Sequence, residues 1–317
     1  MQGVAITPAP VQPMTPDAIA LRHNAFIYDS QDEYVARAVP FLREGLAAGE
    51  GAIVANTKPG VAIMREALGA DAANVTFVDV SSSYTRPART LAAYHQVYAQ
   101  QLQKTPTVRA VADVQFGPHP REWDLWTAYE AVFNRSFSHL PVWVLCSYNA
   151  NGTPDPIIEG VWQTHPEVVD RSRWTTSRLY EDPDHLLRRI TPPPETLPDL
   201  RTVGSGSDPE PVRERLAPEL AAAGIGEAKK LEMLLAATEI ATNAIQHGEG
   251  IQDIRVGVAH GRFVCEITDR GAGFDDPAAG YLAPRAGIGS GLWVARQLSW
   301  RIEFFQSPSG FTARIWL

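Results

Sequence analysis

Between Ala25 and Ser147 the chain alternates short apolar runs with stretches of helical spacing, and this alternation restricts the folds open to it. The runs cover 25–28, 51–55, 75–80, 108–114 and 141–147 and are rich in β-branched residues. Between them lie 31–48, 61–68, 89–103 and 121–138. All but the short 61–68 stretch place apolar residues three and four apart, which turns one helix face toward a core. Strands alternating with helices are joined by crossovers, so the pattern predicts an α/β domain, a parallel sheet with helices on both faces.

The pattern breaks at 192–211. Pro192-Pro193-Pro194 and Gly204-Ser205-Gly206-Ser207-Asp208-Pro209 read as a linker. Beyond it come helical stretches at 211–222 and 227–247, then strands 254–259 and 262–268 turning at His260-Gly261. A helix at 291–298 and strands at 302–306 and 311–317 follow. Mixed strands with helices grouped apart predict an α+β two-layer sandwich. With 317 residues the chain can hold two such domains, each with its own core. Residues 1–18 carry four prolines among small and polar residues and read as a disordered arm.

The formal charge is −8, from 28 basic and 36 acidic residues, and no dense Lys/Arg run occurs. That argues against a general nucleic-acid binder, which needs basic groups to displace counterions. Cys146 and Cys265 each sit in a strand-like run and read as free thiols in a reducing compartment. No signal peptide and no membrane-spanning apolar run is visible, so a cytoplasmic location is expected.

Three motifs in the C-terminal part carry chemistry. In Glu239-Ile240-Ala241-Thr242-Asn243-Ala244-Ile245-Gln246-His247, the residues Glu239, Asn243 and His247 share one helix face. Carboxylate, amide and imidazole together suit a hydrated, phosphate-bound metal, or form an ordinary solvated face. Asp269-Arg270-Gly271-Ala272-Gly273-Phe274 follows a strand. A carboxylate there can accept from an exocyclic amine, with glycines allowing close backbone approach; a simple Gly-rich turn is the alternative. Gly287-Ile288-Gly289-Ser290-Gly291-Leu292 leads into a helix, a backbone cradle for phosphate. No strand precedes that run, which excludes a Rossmann fingerprint, and no Gly-x-x-x-x-Gly-Lys-Ser/Thr occurs.

In this order, and ending on Gly310-Phe311-Thr312, the motifs resemble the N, G1 and G2 boxes of the GHKL ATPase/kinase family. Within it the last 110 or so residues look most like the anti-sigma-factor serine kinases of the RsbW type. The resemblance implies ATP and Mg²⁺ as cofactors. It makes Glu239 the general base and Asn243 the Mg²⁺ ligand, with His247 a nearby site residue of less defined role. It assigns Asp269 to the adenine amine, Gly271 and Gly273 to the base pocket, and Gly287, Gly289 and Gly291 to the phosphates. Thr312 would belong to the adenine-side polar network. Partners implied are a STAS-type anti-anti-sigma protein, a sigma factor, or both, and such kinases often dimerise. Neither nucleic acid nor membrane is expected as a partner. A non-catalytic, nucleotide-gated sequestering module is the alternative. A histidine kinase ranks lower, because the nearest upstream histidine, His185, lies in a segment too short for a long helical hairpin.

The N-terminal region resembles the MEDS sensory domain, a ligand-sensing relative of RecA-like ATPases. The resemblance rests on His23, Gly45-Leu46-Ala47-Ala48-Gly49-Glu50, Cys146-Ser147-Tyr148 and His165-Pro166. It implies a domain that recognises an unknown small-molecule signal. Polar residues at the expected strand ends, Tyr28, Asn56, Asp79, Asp113, Ser147 and Tyr148, read either as a ligand crevice or simply as strand termini. His23, Cys146 and His165 are soft-ligand residue types without a recognised spacing, and packing residues are the alternative. Trp123, Trp126, Tyr129 and Phe133 read as a buried helix face. The expected order is arm 1–18, MEDS-like domain 19–190, linker 191–208 and GHKL domain 209–317.

Overall fold

The computed structural model describes residues 20–81, 84, 86–116, 120–170, 173–191, 194–206, 210–282 and 290–317. The expected disordered arm lies outside the described residues. Two compact units divide at Leu186 and Leu187.

The first unit runs β1 (Arg22–Tyr28), α1 (Gln31–Ala47), β2 (Gly51–Asn56), α2 (Lys58–Leu68), β3 (Val75–Asp79), α3 (Pro87–Leu102), β4 (Val108–Asp113), α4 (Pro120–Phe137) and β5 (Val142–Asn149). It continues with α5 (Asp155–Thr164), β6 (Glu167–Asp170) and β7 (Arg173–Thr176), and α6 (Pro183–Ile190) carries the chain across the division. The sheet order is β3-β2-β4-β5-β1-β6-β7. All neighbours are parallel except the β6–β7 pair, so the sheet is mixed rather than purely parallel. These last two strands are only four residues each, too short for a periodic signal.

Every residue of β2 is buried, as both faces of a covered parallel strand require. Phe26, Val54, Val111, Trp143 and Leu145 pack with Leu42 of α1 and Met64 of α2. Alternate residues, among them His23, Ala25, Val144 and Cys146, therefore point to the opposite face. Rings of α3 and α4 fill that side, where Phe133 stacks on His23 at 4.6 Å and meets Tyr98 edge-on at 6.3 Å. The aromatic spacing expected on α4 thus becomes core, with Trp126, Tyr129 and Phe133 all buried. His23, expected just before the first strand, lies inside β1.

The second unit contains β8 (Arg201–Gly206), α7 (Glu210–Ala222), α8 (Glu227–His247), β9 (Ile251–Ala259), β10 (Arg262–Asp269), α9 (Gly291–Leu298), β11 (Arg301–Ser307) and β12 (Gly310–Trp316). Its antiparallel sheet has the order β11-β12-β10-β9-β8. One face packs on helices: Leu216 of α7, Ala237 and Ala241 of α8 and Ala295 of α9 join Val256, Cys265, Ile267 and Ile315 in one core.

The other face corrects the expectation of a linker at 191–208. Leu197 and Leu200 are buried against Val264 and Trp316, and β8 pairs with β9. The glycines that suggested a spacer instead sit at irregularities of that edge strand, where the register shifts around Gly204 and Gly206. Beneath the covering segment lies a polar ladder. Arg314 Nε donates to Glu266 Oε1 at 2.7 Å and Arg314 Nη2 to the Glu195 carbonyl at 2.9 Å. Arg255 adds donors to Glu266 Oε2 and to the Leu197 and Leu200 carbonyls.

Removing Arg314 leaves Glu266 buried beside a single, one-third-exposed guanidinium. Arg314→Met is therefore expected to destabilise the second unit by about 3 kcal/mol, measured as a lowered midpoint in chemical denaturation. A change under about 1 kcal/mol would mean that the ladder is dispensable.

Candidate functional site

Helix α8 is built with two faces. Met233, Ala236, Ala237, Ile240, Ala241 and Ala244 are buried, and the alanines let its backbone lie close to the sheet. Glu239, Asn243 and His247 recur one turn apart on a more exposed side. Asn243 and His247 line a cavity of about 620 Å³, bounded also by Asp269, Gly273, Phe274, Gly291, Phe304 and Phe311. That volume falls in the usual range for a small-molecule site, about 300–1,000 Å³.

Glycine brings α9 up to α8. A Cβ on Gly291 would lie 2.9 Å from Glu239 Oε2 and 3.3 Å from Asn243 Nδ2. Both side chains therefore face the first residue of α9. Asn243 Nδ2 is buried with no hydrogen-bond partner. Ser290 makes no side-chain cap, so the N–H groups of Gly291, Leu292 and Trp293, all bordering the cavity, begin the helix without an intrahelical acceptor. A helix N-terminus beside an amide that has no hydrogen-bond partner among the described residues favours an anion.

Asp269 closes the other end of the cavity. Its Oδ1 accepts the Gly271 N–H at 2.8 Å, and its carboxylate packs so closely on Gly248 that a Cβ there would collide with it. Burial raises its pKa above the ordinary carboxylate value, an effect opposed by the Gly271 hydrogen bond. Gly273 has φ +72° and lies against the Phe311 ring, a position no side chain can share. Phe274 meets Phe304 and Phe311 edge-on at 4.9 and 5.1 Å, giving the cavity an apolar aromatic wall.

The cavity lining thus gathers Asn243, His247, Asp269, Gly273 and Gly291, while Glu239 faces Gly291 and Gly271 donates to Asp269 without either bordering the cavity. Gly287 and Gly289 lie outside the described residues. Thr312 does not border that space. Phe311 and Ala313 line the cavity, so strand alternation turns Thr312 to the other face, where its hydroxyl meets that of Thr268 at 2.8 Å. Arg296 was not anticipated. It is buried, donates to the Ala279 carbonyl at 2.6 Å and the Ile302 carbonyl at 3.2 Å, and lies over the Tyr281 ring. It anchors the segment after Phe274 to α9. Its signal is weak in sequence, since an arginine near a helix C-terminus is common.

In the first unit His23, Cys146 and His165, far apart in sequence, converge with Glu130 of α4. Glu130 was also missed; its only trace is a carboxylate embedded in an aromatic helix face, four residues before Asn134. Burial lowers the His23 pKa to about 4 and that of His165 to about 3, so both rings are neutral at pH 7. The expected rim at the strand ends divides. Asn56 donates to the Tyr34 hydroxyl at 3.1 Å and Asp113 accepts from Gln115 at 2.7 Å. Tyr148 turns inward and donates to Glu130 Oε1 at 3.1 Å.

Gly291→Ala tests the approach of the two helices. The groups a new methyl would meet are the ends of flexible side chains, so stability should change by less than about 1 kcal/mol. Displacing Glu239 and Asn243 should nevertheless reduce the thermal shift produced by ATP with Mg²⁺. An unchanged shift would separate Gly291 from the binding space.

Residues 22–166 match the family described as MEDS, the methanogen/methylotroph, DcmR sensory domain. Residues 208–316 match the histidine kinase-like ATPase domain. No relative matches among curated proteins. No helix among the described residues is long and apolar enough to cross a membrane. The converging helix face and glycine turns agree with the second match as the buried α/β sheet agrees with the first: the chain joins a MEDS sensory domain to a histidine kinase-like ATPase domain of the GHKL type.

Proposed function

We propose that the C-terminal domain binds ATP with Mg²⁺ in the cavity between α8, α9 and β10. It would act as a protein serine kinase on an anti-anti-sigma partner, or hold a sigma factor, with the MEDS domain as its sensor. The observation that supports this reading is the convergence of Glu239 and Asn243 on Gly291 at the start of α9. The residues fit the ligand. The Asn243 amide and the N–H groups that begin α9 suit phosphates and their metal, and the aromatic wall beside Asp269 suits a purine.

Bound ATP·Mg²⁺ supplies the phosphoryl group and most of the charge neutralisation for its transfer. The chain's own contribution is position. Asp269 would hold an amine with its carboxylate, Asn243 would present its amide oxygen to the metal, and Gly291 would leave room for phosphate beside the helix. Glu239 would take the proton from the attacking hydroxyl onto Oε2, the oxygen facing Gly291, as the phosphoryl group passes to that hydroxyl and ADP leaves. His247, at the cavity edge, supplies a further polar contact.

Glu239→Ala is expected to abolish transfer of labelled phosphate to a partner serine while the thermal shift with ATP·Mg²⁺ remains. Asp269→Asn should reduce that shift, which for wild type is about 2.7 kcal/mol at a ligand concentration 100 times Kd. Unchanged transfer in Glu239→Ala would remove Glu239 as the base. Binding of partner without any transfer would indicate sequestration. Acid-labile phosphate on the chain itself would indicate a histidine kinase.

A further inference from the structure

Four side chains from four places in the first unit meet in its interior: His23 of β1, Glu130 of α4, Cys146 of β5 and His165, which ends α5. All four residues are buried, and one ligand atom from each lies within 4.8 Å of the others. His23 Nε2 is 3.3 Å from Cys146 Sγ and 3.3 Å from Glu130 Oε2, and His165 Nε2 is 3.9 Å from Glu130 Oε2. Metal–nitrogen and metal–sulfur bonds of about 2.0–2.3 Å span tetrahedral edges of roughly 3.3–3.8 Å. The three separations lie at or just above that range, and the remaining pairs lie within 4.8 Å.

The outer contacts aim the inner atoms. His23 Nδ1 meets Asn134 Oδ1 at 3.0 Å, which places its proton on Nδ1 and leaves the Nε2 lone pair inward. Asn134 is itself fixed through its Nδ2, which donates to the Thr164 carbonyl at 2.7 Å. His165 Nδ1 lies 3.0 Å from the Val161 carbonyl, with the same consequence for its Nε2. Glu130 Oε1 is held by the Tyr148 hydroxyl, leaving Oε2 for the centre. Glu130 Oε2 and His165 Nε2, the two atoms so directed, are buried without a hydrogen-bond partner. Orphan polar atoms of this kind are costly unless something occupies the space between them.

We propose that this cluster is a closed, four-coordinate site for a late first-row divalent transition metal, with Zn²⁺ as the reference ion. Thiolate and imidazole donors select this class over Mg²⁺ or Ca²⁺. One thiolate and one carboxylate carry two negative charges, so a divalent ion leaves the buried site neutral. Binding displaces the thiol proton to solvent and takes Glu130 as its carboxylate. Asn134, the Val161 carbonyl and Tyr148 form the outer hydrogen bonds that such ligands need. A cavity of about 510 Å³ borders His23 and Asn134 on the outer side of the cluster. The site uses no residue of the ATPase domain and stands or falls independently of the nucleotide reading.

The test uses the untagged full chain, stripped with a chelator and reloaded with Co²⁺. One Co²⁺ per chain is expected, with visible bands of a tetrahedral ion and a near-ultraviolet thiolate-to-cobalt band, both displaced by Zn²⁺. Cys146→Ser should lose the thiolate band, and Cys265→Ala should keep it. Asn134→Ala, which leaves all four ligands in place, should weaken Co²⁺ binding roughly 10–100-fold. If the wild-type chain, with native circular dichroism, takes up no stoichiometric Co²⁺, or if the thiolate band survives Cys146→Ser, the proposal is wrong. The four residues are then a proton-sharing hydrogen-bond network.

Discussion

The close approach of α9 to α8 is the constraint on which the C-terminal site depends. At Gly291 the ends of the Glu239 and Asn243 side chains come within reach of where a Cβ would stand, so the end of one helix faces the polar stripe of the other. A helix N-terminus is electropositive and a carboxylate beside it, here Glu239, is favourable. Asn243 is different. Its Nδ2 is buried and has no hydrogen-bond partner among the described residues. The buried alanines of α8 serve the same geometry from behind by letting the helix lie flat on β10 and setting the depth of the space.

The first unit shows the same logic at a different place. Its centre also contains polar atoms without partners, Glu130 Oε2 and His165 Nε2, surrounded by aromatic rings rather than by glycine. Burying four ionisable or polar side chains together is unfavourable by desolvation alone. The aromatic shell worsens that cost by excluding water, yet the second nitrogen of each histidine and the second oxygen of Glu130 are individually held. Three groups held on their outer side and turned inward beside a thiol make an arrangement that suits ligands.

Much of this was legible in the sequence. The strand–helix alternation of 25–147 and the motif helix 227–247 gave the element types, because both are long enough for periodicity to accumulate. What escaped was short or non-local. β6 and β7 have four residues each, and β8 was hidden by the glycines that its irregular pairing requires. Leu197 and Leu200, single apolar residues in a Pro-rich segment, gave no periodic signal although they bury the far face of the sheet. Thr312 was placed by motif, but the face it presents depends on register, which a one-residue difference reverses.

Glu130 marks the deeper limit. The strand spacing places His23 and Cys146 on one sheet face, since His23 pairs with Val144, two residues before Cys146. That relation is visible only once β1 and β5 are known to be neighbours, and strand order is not written in local pattern. Glu130 and His165 then arrive from helices packed over that face, α4 bringing the carboxylate and the end of α5 the imidazole. None of the four is close to another in sequence, and no pair has a spacing that signals a ligand motif. Their meeting is a product of topology: a central strand, β1, flanked by β5 on one side and β6 on the other, brings together the ends of segments that the chain visits at widely separated points. A site of this kind has its specificity in the packing of the domain rather than in any stretch of it. Disturbing an outer contact such as Asn134, 3.0 Å from His23 Nδ1, therefore acts on the cluster through that histidine's tautomer and tilt.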